Sequence, residues 1–266
     1  SGRAVVSDPQ FAPLLISAPF GNYLQPPGTT PTLGTFTALR RGGRPAAAGR
    51  ALLTMRYYRR LQAWVNRIGL RNPGIESVVK RAPHGRPLAE CVVSVHGFDD
   101  AEWALLLDRI HQLRPLAVEL NISCPNVGEL SWPDHLFADA VSTGVPVILK
   151  VPPVRLELMA ESAAAQGVRW FHATNTLPVN GGGMSGAPLR PLAVRAVTWL
   201  RQSLGNDVGI IGGGGIRGPE HVVEFADAGA NRFAVGTVAL SPATLRGDQW
   251  VAPIRAEADR LATIPG

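Results

Sequence analysis

The sequence predicts a (β/α)₈ TIM barrel carrying an insertion between its second and third strands. Three observations predict it. The 266 residues are about the length of one such barrel. Eight short apolar runs recur from end to end, separated by polar loops and amphipathic stretches. Most of those runs are continuously apolar rather than alternating, as strands buried on both faces of a parallel sheet should be. Strand and helix alternating eight times fit a closed barrel better than a doubly wound open sheet, the other architecture this order admits. Residues 1–266 are therefore expected to form one domain.

The runs fall in order. Leu14–Ala18 and Gly34–Ala38 come first. The stretch Arg41–Glu90 follows, too long for a simple helical crossover, and it is the expected insertion. Cys91–Val95, Leu116–Ile122, Val145–Val151, Trp170–Thr174, Val208–Ile211 and Phe233–Val235 complete the set. Helical periodicity fills the later gaps at Ala101–Leu113, Leu156–Gln166, Leu192–Leu204 and Pro219–Ala228.

Composition removes several function classes. With 45% apolar and 17% charged residues, the chain can bury a core and is not expected to be disordered. No run of roughly 18 uncharged apolar residues occurs, so no membrane span is expected. Ser1-Gly2-Arg3 lacks the order of a signal peptide. Two cysteines, Cys91 and Cys124, are too few for a disulfide framework or an iron–sulfur cluster. No metal site is expected, and the cytoplasm is the expected location. The net charge of +6 is almost wholly arginine, the only lysines being Lys80 and Lys150. The arginines are scattered without interleaved aromatics, so nucleic acid is not an expected partner.

A barrel presents its chemistry on the loops at the C-terminal strand ends. After the seventh run stand Gly212-Gly213-Gly214-Gly215, and after the eighth Gly236-Thr237. Glycines there leave backbone N–H groups open to an anion, and the last two loops are where barrels frequently hold phosphate. The plain alternative is relief of crowding at the rim. The fourth run ends in Glu119-Leu120-Asn121-Ile122-Ser123-Cys124-Pro125-Asn126. Two carboxamides, each offering donors and an acceptor, flank a thiol that can take a proton as thiolate. Cys91 has no such neighbours and reads as core. Lys150 ends an apolar strand, an expensive position unless it meets an anion. Asn175-Thr176 ends the sixth run, Gly181–Gly186 reads as a flexible loop of close approach, and Asn66–Gly74 closes the insertion.

Together these segments resemble the dihydroorotate dehydrogenase family, and the cysteine before the proline resembles its soluble class. The resemblance implies an enzyme: an FMN-dependent oxidoreductase of pyrimidine biosynthesis that turns dihydroorotate into orotate, with Cys124 as base and hydride passing to flavin N5. It implies that Asn66, Asn121, Asn126 and Asn175 hold the substrate ring, with Gly69, Leu70 and Thr176 beside them. It implies that Ala18, Gly21, Asn121, Lys150, Thr174, Gly186, Gly214, Gly215, Gly236 and Thr237 hold FMN. Val127–His135 would form the loop that carries Cys124 over the substrate. Reoxidation would use a diffusing acceptor or a partner protein, and the sequence leaves a homodimer open. Two departures stand out. The family's lysine after the second strand is missing from Thr37-Ala38-Leu39-Arg40-Arg41, where Arg40 is the candidate replacement, and the loop after Asn126 is trimmed. They leave open another cyclic amide or carbonyl substrate, or a barrel that binds flavin or phosphate without turnover.

Overall fold

A computed structural model of the chain describes residues 9–42, 55–66, 70–80, 86–122, 132–180, 182–241, 244 and 247–265. Its centre is a closed barrel of eight parallel strands. In barrel order these are β1 (Leu14–Ile16), β2 (Thr29–Phe36), β5 (Val92–Val95), β6 (Ala117–Leu120), β7 (Val147–Val151), β8 (Trp170–Ala173), β11 (Gly209–Gly213) and β12 (Arg232–Val235). Each overlaps a run expected from the sequence. The second begins five residues earlier than expected, at Thr29 instead of Gly34. Its polar Thr-Thr-Pro-Thr start hides a strand whose burial comes from barrel closure.

The interior is layered because side chains alternate along each strand. At the N-terminal end Leu15, Val92, Ala117, Ile148, Trp170, Ile211 and Ala234 meet in one apolar cluster. Phe11 closes it, packing edge-to-face on Trp170 at 4.9 Å. Two residues further along four of these strands the same inward direction carries Ser94, Glu119, Lys150 and His172, all buried. The core thus changes from apolar to polar on the way up the barrel.

The helices between strands match the amphipathic stretches closely: α2 (Asp100–Leu113), α4 (Glu157–Ala165), α5 (Arg190–Leu204) and α6 (Pro219–Asp227). Asp99 caps α2 by accepting from the Glu102 amide, and Pro219 opens α6 at a position that needs no N–H. Shorter helices α1 (Glu76–Lys80) and α3 (Leu136–Ser142) and the C-terminal α7 (Ala252–Leu261) complete the set named here.

Two excursions leave the barrel. The insertion after β2 contains the hairpin β3 (Met55–Tyr58) and β4 (Ala63–Asn66); the connection after β8 contains β9 (Leu177–Val179) and β10 (Gly182–Gly186). They join as one antiparallel sheet in the order β3-β4-β10-β9. This corrects the reading of Gly181–Gly186 as a flexible loop. Gly182–Gly186 is a strand paired on both sides. Its glycines serve close approach: a Cβ at Gly183 would strike Thr176, and one at Gly186, whose φ is +100°, would lie 2.5 Å from the Gln62 carbonyl.

Candidate active site

The C-terminal mouth of the barrel carries a chain of hydrogen bonds in which every donor faces the same way. The Thr176 amide donates to Asn175 Oδ1 at 2.9 Å, and Asn175 Nδ2 donates to Asn121 Oδ1 at 2.7 Å. Asn121 Nδ2 donates to Thr35 Oγ1 at 2.8 Å. Ser94 Oγ lies 3.0 Å from Thr35 and donates to Glu119 Oε1 at 2.9 Å. Since the Ser94 proton goes to the carboxylate, the Thr35 hydroxyl donates to Ser94. The chain therefore runs from β8 across β6, β2 and β5 to end on one buried carboxylate. Such a chain polarises each of its members and fixes which end of each carboxamide faces its neighbour.

Glu119 is 1% exposed and has two further partners. Lys150 Nζ stands 3.5 Å from Oε1, and His172 Nδ1 stands 2.7 Å from Oε2. Burial pushes its carboxyl up, but the Lys150 ammonium, the His172 contact and the Ser94 hydroxyl outweigh it and hold the group down to about 2. An ionised carboxylate can only accept, so His172 carries its proton on Nδ1. Burial first, and the Lys150 charge second, hold His172 below its usual range despite the carboxylate. The unit is thus an ammonium, a carboxylate and a neutral imidazole, together uncharged.

His96, at the end of β5, fixes the point where the chain leaves β6. Its Nδ1 donates to the Asn121 carbonyl at 2.8 Å, since a carbonyl can only accept. Burial, chiefly, holds this imidazole below its ordinary range. Among the described residues its buried Nε2 has no hydrogen-bond partner, a costly state for an acceptor.

The opposite side of the mouth is bare backbone. Gly213 ends β11, and a Cβ there would lie 2.8 Å from the Ala234 carbonyl and 3.3 Å from His172 Nε2. Gly214 and Gly215 have φ of +120° and +84°, and a Cβ on Gly215 would lie 2.6 Å from the Gly186 carbonyl. These glycines are needed for the fold as it stands. Gly236 is different. Its φ is −134°, and an added Cβ would meet nothing closer than Phe20 at 3.7 Å. The fold does not require a glycine there, so the open space beside Ser17 and Thr237 suits an anion held by backbone amides.

The expected site residues divide accordingly. Asn121, Lys150, Thr174, Asn175 and Thr176 meet at the ends of β6, β7 and β8; Thr174 is tied to the Val151 carbonyl at 3.0 Å. Ala18 and Gly21 follow β1, whose end is joined to β12 by the Ser17 amide and Val235 carbonyl. Asn66 lies in the outer sheet opposite Gly183, and Leu70 is half-buried. Cys124, Asn126, Gly69 and residues 127–131 lie outside the described residues. Leu39, Arg40 and Arg41 are exposed, the Arg41 guanidinium lying 4.0 Å over the Phe98 ring. Asn72 spends its side chain on Thr37, Leu70 and Gly74 as a turn residue. Cys91 is core, its thiol pushed up to about 11 by burial. Sequence reasoning missed Glu119, His172, Ser94, Thr35 and His96. The argument that singled out Lys150, a charge on an apolar strand, applies equally to Glu119 and His172.

The family model described as dihydroorotate dehydrogenase matches residues 32–257. The catalytic subunit of dihydroorotate dehydrogenase B (NAD(+)) from Listeria monocytogenes serotype 4b is 34% identical over 205 residues, covering 65% of this chain and 66% of that protein. The same subunit from Desulforudis audaxviator is 35% identical over 204 residues, covering 66% of each. The chain thus spans slightly less than two thirds of these relatives' length. Among solved structures, the Eimeria tenella DHODH in complex with ferulenol superposes with a TM-score of 0.73 at 18% identity, over 92% of this chain and 80% of that one. This last likeness concerns the fold.

Proposed function

The chain belongs to the dihydroorotate dehydrogenase family, and from that premise we propose that it oxidises dihydroorotate to orotate with FMN as cofactor. The observation that carries the reading is the one-way hydrogen-bond chain through Asn175 and Asn121, standing beside buried Lys150 at the barrel mouth. Oriented carboxamides suit a ring lined with amide N–H and C=O groups. The residues present also fit FMN: a buried cation near the mouth, and across from it the open backbone at Gly236-Thr237 for one phosphate. FMN, when bound, supplies the acceptor for the substrate's hydride.

The chain's own residues do the rest. Lys150, Asn121 and Thr174 hold the flavin ring from the polar side; Ala18, Gly21, Gly186, Gly214, Gly215, Gly236 and Thr237 clear the other side for its phosphate and tail. Asn66, Asn121, Asn126 and Asn175, with Gly69, Leu70 and Thr176, set the substrate in register. Cys124 removes the proton next to the substrate carbonyl, and oriented carboxamides stabilise the charge that develops there. A diffusing oxidant or a partner protein takes the electrons away, in keeping with relatives named catalytic subunits.

The test is an absorbance spectrum of the pure protein without oxygen, before and after dihydroorotate. Bleaching of a flavin band, with FMN identified by mass after denaturation, is expected. Release of flavin adenine dinucleotide, or of no flavin after reconstitution, overturns the cofactor. A second reading keeps the flavin and changes the substrate to another cyclic amide. It is favoured by the turn after β2, where Leu39, Arg40 and Arg41 are all exposed, so that no described residue of that turn is a buried cation. FMN that stays oxidised in dihydroorotate selects it.

A further inference from the structure

Glu119 and His172 face the barrel interior but have no part in the chemistry just described. Burying three ionisable side chains together is costly unless each finds its partner. Here each does. One carboxylate oxygen takes Ser94 and Lys150, and the other takes His172. Their places follow from the pleat: Ser94, Glu119, Lys150 and His172 each stand two residues above a member of the apolar floor.

We propose that His172 is a positioning residue for Lys150: its Nδ1–H holds Glu119 Oε2, the fixed carboxylate sets the ammonium through Oε1, and the balance of these charges sets the field that a bound flavin meets. The inference rests on the FMN reading and assigns to it two residues that nothing else in the site explains. The groups facing His172 are Glu119 from β6, Lys150 from β7 and the Gly213 backbone from β11, with Ser94 of β5 acting through the carboxylate.

The arrangement fixes the sign of two effects. Reduction adds negative charge to flavin, so a cation nearby raises the midpoint potential and an anion lowers it. His172 donates to the carboxylate and draws its charge away from Lys150. His172→Leu removes that donor and leaves Glu119 to compete harder for the ammonium, so the midpoint potential falls. Glu119→Gln removes the negative charge altogether, so it rises. General loosening of the barrel would not move the two variants in opposite directions.

The experiment uses the FMN-loaded protein. The midpoint potential is measured by anaerobic dye titration, and FMN affinity by fluorescence quenching. His172→Leu should lower the potential and weaken FMN by less than about tenfold, since the bond it removes is to Glu119 and reaches the flavin only through Lys150. Glu119→Gln should raise it. His172→Asn, whose amide can stand in for Nδ1–H, should restore both quantities to near wild type. Equal potentials in His172→Leu and wild type overturn the proposal, as does a shift of the same sign in Glu119→Gln, or an Asn variant as impaired as the Leu one. If His172→Leu does not fold, Ser94→Ala reads the same carboxylate. A lowered potential there supports the proposal, and an unchanged one overturns it. A wild-type protein that takes up no FMN would instead defeat the functional reading itself.

Discussion

The two sides of the barrel mouth solve opposite problems. On the side of β5 to β8, side chains fill the space and bond one another: Ser94, Glu119, Asn121, Lys150, His172 and Asn175. On the side of β11, β12 and β1, side chains are removed, and Gly213, Gly214, Gly215 and Gly236 leave backbone alone. The polar side gains directionality, since each carboxamide has one allowed orientation, and it risks a large loss if a single member goes. The bare side gains room for a ligand and draws its rigidity from packing between chain segments. The substrate ring and the FMN phosphate proposed above ask for these two different surfaces.

The largest expected effect tests the proposed base. Cys124→Ala should keep fold and flavin while flavin reduction by substrate slows by roughly a hundred- to ten-thousand-fold, the usual weight of a general base. Stopped-flow reduction at the wild-type rate would show that another group takes the proton. The next effect tests whether the polar side is one coupled unit. Lys150→Met leaves the Glu119 carboxylate buried without its cation, and urea unfolding should show a loss of about 3–5 kcal/mol. Adding Glu119→Leu should cost less than the sum of the two single changes, because the second removes the stranded charge. Strict additivity would mean that the two groups do not act together.

The bare side is tested by a pair of glycines. Gly215→Ala forces a side chain to a φ of +84° and to 2.6 Å from the Gly186 carbonyl, a strain on the order of 1–3 kcal/mol visible in thermal unfolding. Gly236→Ala meets nothing within 3.7 Å, so its stability should stay within about 0.5 kcal/mol of wild type while FMN binding weakens. Intact FMN affinity in Gly236→Ala would move the phosphate elsewhere. The two sides should also part on acidification. Glu119 lies near 2 when folded against an ordinary 4.5, so its stabilisation is complete above about 4.5 and is lost as the pH falls toward 2. His96 and His172 are held below 6.5, so theirs is present above about 6.5 and declines as the pH drops below it. A melting temperature flat from pH 7 to pH 4 would break this picture. The smallest effect is at the rim: Arg41→Ala should cost no more than about 1 kcal/mol, the range of an exposed cation–ring contact, with flavin content unchanged.

How much of this was legible depended on range. The strand runs, four helices, the rim glycines, Lys150 and the carboxamides at 121 and 175 could be read directly. Hydrophobic period and composition are local properties, and one residue at a strand end is enough to raise suspicion. Gly181–Gly186 reads as a loop because glycine-rich stretches carry no strand pattern. Gly183 and Gly186 are strand residues only because β4, brought in from the distant insertion, lies against them. Glu119 opens the segment 119–126 but has no role legible there, because nothing in Ala117–Leu120 says which of its neighbours face the same interior.

The sequence by itself determined the barrel and its alternation of elements, because burial on both faces of a strand leaves a continuous apolar signature. Only the tertiary structure decided that Glu119, Lys150 and His172 share one interior level, and that Asn175, Asn121, Thr35 and Ser94 donate in one direction toward it. Those partnerships depend on the stagger between neighbouring strands, which is set when the sheet closes on itself and is written in no single segment.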